Sequence, residues 1–219
     1  MNKLVFFFLF FPLCLNAQNE EMQTLFGSQR KTVLGGYGAI EVKGSQLNGN
    51  FHGLLTGMHG GVIINNVFAM GLAGYGLQPI SKVDCPIHDH SNTRTPRLTG
   101  GWGGFFLEYI NSSNRLLHFT TNSFIGIGGV SYTRGIDYES DDYDKFKHPS
   151  RFVFVLEPGV TMELNVFKSF RMALGVSYRY LPNFQLQHDD KDIVPKDAFN
   201  GISVNLMLKL GNFAGKVVE

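Results

Sequence analysis

The side chains with the clearest chemical potential in this sequence are ionisable residues that fall on one face of extended segments. Glu157 and Glu163 lie an even number of positions apart in one segment, as do Arg171 and Arg179 in the next. The whole set on this face is Glu41, Glu108, Glu157, Glu163, Arg171, Arg179, Lys209, His59 and His118. Buried charges must be paired and hydrogen-bonded, because an isolated one costs several kcal/mol. The set therefore predicts a structural network of paired charges without catalytic residues.

A second group of reactive side chains lies in the sequence DCPIHDH at 84–90. Cys85, His88 and His90 could supply three ligands to zinc. Structural zinc sites usually take two pairs of ligands from separated segments, and this group stands alone. We therefore predict a solvated polar loop here, with no bound metal and no cofactor.

A third group is acidic, with Asp137, Glu139, Asp141, Asp142 and Asp144 close together. Carboxylates at alternate positions are typical of calcium loops, but the glycine and the terminal bidentate glutamate of such loops are missing. We predict a solvated acidic loop. A weak divalent-cation site shared with lipopolysaccharide phosphates is the alternative.

Eight segments have the pattern of β-strands and would position these side chains. They are 32–42, 53–64, 67–78, 97–110, 115–133, 151–166, 170–180 and 200–211. Alternation is clearest in the last, where Val204 and Leu206 fall on one face and Ser203 and Asn205 on the other. A period of two over about ten residues indicates a strand, because successive side chains of a strand point to opposite faces.

The connections between these segments alternate between long and short. In order they are 43–52, 65–66, 79–96, 111–114, 134–150, 167–169 and 181–199. In an up-and-down meander, alternate connections lie at opposite ends of the sheet. One end would therefore carry tight turns and the other four loops, an asymmetry that outer-membrane barrels also have.

The turn at 167–169 predicts which residues of the sixth and seventh strands face each other. A three-residue turn makes position i of the sixth strand face position 336 − i of the seventh. Glu157 then faces Arg179, and Glu163 lies diagonal to Arg171. Both pairs are within reach across neighbouring strands.

The chain begins with a pattern typical of a secretory signal peptide. Lys3 precedes an apolar run at 4–15, which ends at Asn16-Ala17 before a polar stretch. A run of this length is too short to cross a bilayer as a helix. We predict a cleaved signal peptide at 1–17, a leader at 18–30, a barrel at 31–213 and a tail at 214–219.

Net charge and cysteine content restrict the possible partners and cross-links. Lys and Arg total 19 and Asp and Glu total 18, so removal of Lys3 leaves 18 − 18 = 0. Nucleic-acid binding needs a basic surface, and we exclude it. Only Cys85 of the two cysteines remains after cleavage, so no internal disulfide can form.

Residues 31–211 resemble the small outer-membrane barrels of the OmpA/OmpX-like superfamily in strand number, strand length and alternating connections. The resemblance implies an all-β, eight-stranded antiparallel up-and-down transmembrane β-barrel in a bacterial outer membrane. It further implies outer-membrane lipid and lipopolysaccharide as surroundings, and an extracellular ligand held by loops 79–96, 134–150 and 181–199. Such barrels commonly end on an aromatic residue of the last strand, a place that Phe213 would take.

Other readings remain open. A lipid A-modifying enzyme would need a serine, a histidine and a carboxylate on the lipid face at the outer rim, and no such set has strand spacing. A soluble, lipocalin-like barrel would place the apolar face inside, and a narrow pore would leave the interior open. Gly175 and Ser177 beside Arg171 and Arg179 favour a crowded interior, because eight strands leave room only for side chains.

Overall fold

The computed structural model describes residues 32–47, 51–79, 97–133, 150–182, 186–188, 191–194 and 199–218. The predicted signal peptide and leader lie outside the described residues. The zinc candidates Cys85, His88 and His90 and the acidic stretch at 137–144 lie outside them as well. Among the described residues, no helix is long and apolar enough to cross a membrane.

Eight long strands form one closed antiparallel barrel. They are β1 (Thr32–Leu47), β2 (Phe51–Ile64), β3 (Phe68–Pro79), β4 (Arg97–Asn111), β5 (Leu117–Thr133), β6 (Ser150–Phe167), β7 (Phe170–Arg179) and β10 (Gly201–Val218). Each barrel strand pairs with the barrel strands before and after it in the chain, and β10 closes the barrel on β1. Between β7 and β10, the short strands β8 (Leu186–His188) and β9 (Lys191–Val194) form a separate two-stranded sheet. The predicted up-and-down barrel is confirmed.

Two strands are longer than the sequence predicts. Leu47 pairs with Phe51, so most of the predicted connection 43–52 is strand. At the other end, β10 continues past Gly211 to Val218 and pairs with the first residues of β1. A shift in the β1–β10 register and the positive φ of Gly215 accompany this extension. The segment 214–218 is therefore part of the barrel wall, not a tail.

The register between β6 and β7 is the predicted one over 159–165, where each pair of facing positions sums to 336. The turn differs from the prediction, however. Phe167 lies opposite Phe170, and a bulge falls between Asn165 and Phe167. The extra residue of the bulge compensates for the shorter turn, because a bulge places two residues of one strand opposite one of the other.

The apolar faces of the strands point outward. In β10, Val204 and Leu206 are 54% and 49% exposed, whereas Ser203 and Asn205 between them are buried. The same alternation places a broad apolar surface around the barrel. Exposed aromatic side chains lie toward both ends, with Phe152 and Tyr178 toward the long connections and others toward the short turns. An apolar band flanked by aromatic residues is the exterior of a transmembrane barrel.

Leu206→Arg is expected to reduce the free energy of folding into bilayers by about 2–4 kcal/mol, because Leu206 faces outward in the middle of the β7–β10 pair and lipid solvates a guanidinium poorly. Val217→Arg, at an exposed position near the end of β10, is the matched control with an expected cost of about 0–1 kcal/mol. Urea titrations of the vesicle-inserted protein measure both. Equal costs at the two positions would argue against the placement of Leu206 deep in the lipid and Val217 near the membrane surface.

Candidate functional site

The structure places all nine charged and histidine residues of the predicted network inside the barrel, each at most 4% exposed. Lys43, which the sequence analysis assigned to a loop, lies there too, because β1 extends through it. Four carboxylates therefore face four lysines and arginines. Together with the two histidines these side chains form two clusters, which lie toward opposite ends of the barrel.

The cluster near the short turns, here called the turn-side cluster, consists of Glu108, Glu163, Arg171, Lys209 and His118. Lys209 Nζ donates to Glu108 Oε1 at 2.5 Å and to Glu163 Oε1 at 2.7 Å. Arg171 Nη1 lies 3.3 Å from Glu163 Oε2. His118 Nε2 also lies 3.3 Å from Glu163 Oε2. Glu163 is thus the common partner of three of the other four members.

Neighbouring side chains provide further contacts to the turn-side cluster. The Tyr37 hydroxyl donates to Glu108 Oε2 at 2.5 Å. Arg171 Nη2 donates to the carbonyl and hydroxyl oxygens of Ser113, at 3.2 and 2.8 Å. The Arg171 guanidinium also lies 4.0 Å from the centre of the Phe213 ring. These contacts hold the charged groups in the buried interior, where unsatisfied polar groups are costly.

The cluster near the long connections, here called the loop-side cluster, consists of Glu41, Glu157, Lys43, Arg179 and His59. Lys43 Nζ donates to Glu157 Oε1 at 2.7 Å and lies 3.6 Å from Glu41 Oε1. Arg179 Nε donates to Glu157 Oε2 at 3.1 Å, the contact that the predicted register places there. His59 Nδ1 lies 3.4 Å from Glu41 Oε2.

Hydroxyl groups support the loop-side cluster as well. The Tyr75 hydroxyl donates to Glu41 Oε2 at 2.7 Å, and Lys43 Nζ lies 3.9 Å from the centre of the Tyr75 ring. Ser177 donates to Glu157 Oε1 at 2.7 Å. The two tyrosines and Lys43 were not among the residues that the sequence predicts for the interior. Continuing the period of two along β1 from Glu41 would have indicated Lys43.

Within the described part of the chain, the two clusters are each balanced in charge and are not bonded to each other. Each holds two carboxylates and two bases, so each is neutral when its histidine is neutral. Among the described residues, no hydrogen bond or ion pair joins one cluster to the other. Tyr37, which bonds to Glu108 of the turn-side cluster, makes an edge-on ring contact with His59 of the loop-side cluster, with the ring centres 5.8 Å apart. The interior therefore contains two balanced networks stacked along the barrel.

Apolar side chains close the interior beyond each cluster. At the long-connection end, Leu181 and Phe199 pack with Trp102, and the Arg179 guanidinium lies 5.3 Å from the Trp102 ring. At the turn end, Phe213 packs with a smaller apolar group that includes Ile63. The described interior is filled with side chains at both ends.

The described residues do not assemble a hydrolytic or metal site. His59 and His118 both lie in the charged clusters, and no described serine hydroxyl bonds to either ring. Ser113, the serine in the turn-side cluster, bonds to Arg171 instead. Among the described side chains, no group of three potential metal ligands is found.

No family model and no curated protein matches this chain. Solved structures do match it. Neisserial surface protein A aligns with a TM-score of 0.53 and 9% identity, over 82% of this chain and 96% of that one. The N-terminal barrel domain of Pseudomonas aeruginosa OprF gives 0.49 and 9%, over 80% and 96%. Ail of Yersinia pestis gives 0.39 and 11%, over 83% and 97%.

Of these three structures, Neisserial surface protein A is the one with a TM-score above 0.5. At 9% identity the similarity shows the fold alone. The fold is that of the small eight-stranded outer-membrane barrels, which confirms the resemblance that the strand pattern indicated. This fold and the apolar exterior of the barrel are those of a β-barrel that spans a membrane.

Proposed function

We propose that this protein is an outer-membrane scaffold with a sealed interior, whose extracellular loops hold lipopolysaccharide or another partner at the cell surface. One observation supports the sealed interior above all: each buried lysine and arginine of the described interior is paired with a carboxylate. An ion entering the barrel would have to separate such pairs, in a space only wide enough for side chains. The interior then serves stability and leaves recognition to the loops.

The loops at 79–96, 134–150 and 181–199 are the proposed binding elements. All three leave the same rim of the barrel, opposite the short turns. Loops on a rigid scaffold commonly carry binding residues. Because the acidic stretch at 137–144 and the phosphates of lipopolysaccharide are both negative, a divalent cation would have to bridge them.

Replacing residues 80–96, 134–149 and 183–198 by Asn-Gly turns is expected to abolish binding of purified lipopolysaccharide while the barrel still folds. Folding is checked by the difference in gel mobility between boiled and unboiled samples. A variant that loses only residues 134–149 is expected to lose the part of the binding that Mg²⁺ supports. Undiminished binding without the loops would contradict their role, and a steady conductance in planar bilayers would contradict the sealed interior.

A further inference from the structure

The described charges exposed at the turn end of the barrel are all positive. Arg115 lies in the β4–β5 turn, Lys168 in the β6–β7 turn and Lys216 near the end of β10, and all three are exposed. The four carboxylates whose side chains the structure describes are, by contrast, all buried in the two clusters. This end of the barrel, here called the turn rim, thus presents three cations without an exposed carboxylate among the described side chains.

These cations occupy consecutive places around the turn rim. Asn165 Nδ2 donates to the Arg115 carbonyl at 2.6 Å and so joins the β4–β5 turn to the end of β6. The Gly211 amide donates to the Ser169 carbonyl at 2.9 Å and joins the β6–β7 turn to β10. Lys216 follows further along β10. Three of the four places where the chain turns or ends on this rim therefore carry an exposed cation.

The depth of the turn rim in the membrane is marked by aromatic residues. Tyr109, Phe119 and Phe167 are each more than half exposed and lie next to the turns. Exposed aromatic side chains gather where the lipid headgroups begin. Since the short turns of such barrels face the periplasm, the three cations lie at the headgroups of the periplasmic leaflet.

An apolar groove runs from the turn rim into the membrane-facing wall. It has a volume of about 710 Å³ and lies across β7, β10, β1, β2 and β3. Phe170 and Leu210 line it near the rim, and Gly38 and Gly60, which pair with each other, form part of its floor. A side chain added at Gly38 would meet open space. The groove begins at Phe170, two residues from Lys168. At Gly38 it has room for an additional apolar group.

We propose that the turn rim and the groove together bind an anionic phospholipid of the periplasmic leaflet. The cations of the rim attract the phosphate group of this lipid, and one of its acyl chains lies in the groove. Charge complementarity selects the anionic headgroup, because the rim offers cations without an exposed described carboxylate. Because the groove begins next to Lys168, a lipid whose phosphate binds Lys168 can place an acyl chain in the groove.

The test is native mass spectrometry of the protein released from detergent that contains equal amounts of phosphatidylglycerol and phosphatidylcholine. The wild-type barrel is expected to retain phosphatidylglycerol preferentially. The variant with Arg115→Gln, Lys168→Gln and Lys216→Gln is expected to lose that preference, by roughly fivefold for each cation removed. Arg151→Gln, an exposed cation at the opposite end of the barrel, is the matched control and should retain it.

Gly38→Leu tests the groove separately and is expected to reduce the amount of retained lipid without changing the gel mobility of the folded barrel. Equal retention of both lipids by the wild type would overturn the proposal, as would an undiminished preference in the triple variant. An equal loss with Arg151→Gln, or a lipid-free dimer as the main species, would also overturn it. Lys168→Gln and Lys216→Gln as single variants decide the question if the triple variant does not fold.

Discussion

Lys209→Met is expected to lower the free energy of unfolding by about 3–5 kcal/mol. The Lys209 ammonium is buried and binds Glu108 and Glu163 at once. Its removal leaves two buried carboxylates without this ammonium. Glu163 retains Arg171 and the hydroxyl of Thr120, whereas Glu108 loses its ammonium partner. Adding Glu108→Gln to this variant is therefore expected to recover part of the loss.

The measurement is urea unfolding of the barrel in lipid vesicles, with the transition checked by two probes. Lys168→Met removes the same functional group from an exposed turn, and in vesicles of zwitterionic lipid, which offer the turn rim no anionic headgroup, its cost is expected to be below about 0.5 kcal/mol. If Lys209→Met is no more costly than Lys168→Met, the turn-side cluster does not stabilise the barrel. If Glu108→Gln does not recover any of the stability lost in Lys209→Met, the unpaired Glu108 carboxylate is not the cause of that loss.

Arg179→Met is expected to be similarly costly, at about 3–5 kcal/mol. The Arg179 side chain is fully buried, and its Nε donates to Glu157 Oε2. Its Nη2 also donates to Ser203 Oγ at 2.9 Å. Combining Arg179→Met with Glu157→Gln is expected to give a smaller loss of stability than the sum of the two single losses. Each single change leaves a buried charge without its partner, whereas the double change removes both charges. The coupling energy should exceed about 1 kcal/mol.

The two separate clusters supply a matched control for this double-mutant cycle. Glu157→Gln and Arg171→Met affect different clusters, which share no hydrogen bond or ion pair among the described residues. Their effects are expected to add within about 0.5 kcal/mol. Equal coupling in both cycles would mean that the interior responds as one network. No coupling between Glu157 and Arg179 would contradict their contact.

Most of the fold could be predicted from the alternation of apolar and polar side chains along the strands. In β6, β7 and β10, large apolar residues alternate with small or charged ones, so the two faces could be distinguished. The β6–β7 register was also predictable, since the bulge before Phe167 offset the error in turn length. The conformation of the turn itself was not predictable, because the sequence at 166–169 does not distinguish a bulge from a longer turn.

The boundaries of β1 and part of the interior could not be predicted with the same rules. Glycines at 35, 36, 38 and 44 leave both faces of β1 without a clear apolar side, and Lys43 was consequently placed in a loop. Pairing within each charged cluster depends on contacts across the barrel, which no local sequence pattern indicates. Tyr75 reaches Glu41 from a different strand, and nothing near either residue in the sequence indicates that contact.

The two buried lysines pair with carboxylates that are far away along the chain. Lys43 and Glu157 are 114 residues apart, and Lys209 and Glu108 are 101 residues apart. Lys43 lies on β1 and Lys209 on β10, the first and last strands of the barrel, which pair with each other to close it. Contacts of such long range form slowly during folding. Before closure Lys43 retains only Glu41 and Lys209 only Glu163, because the contacts with Glu157 and Glu108 cross the interior of the closed barrel. We therefore expect barrel closure to complete the pairing of the interior charges, and an unclosed sheet to enter lipid poorly because part of its charge is still unpaired.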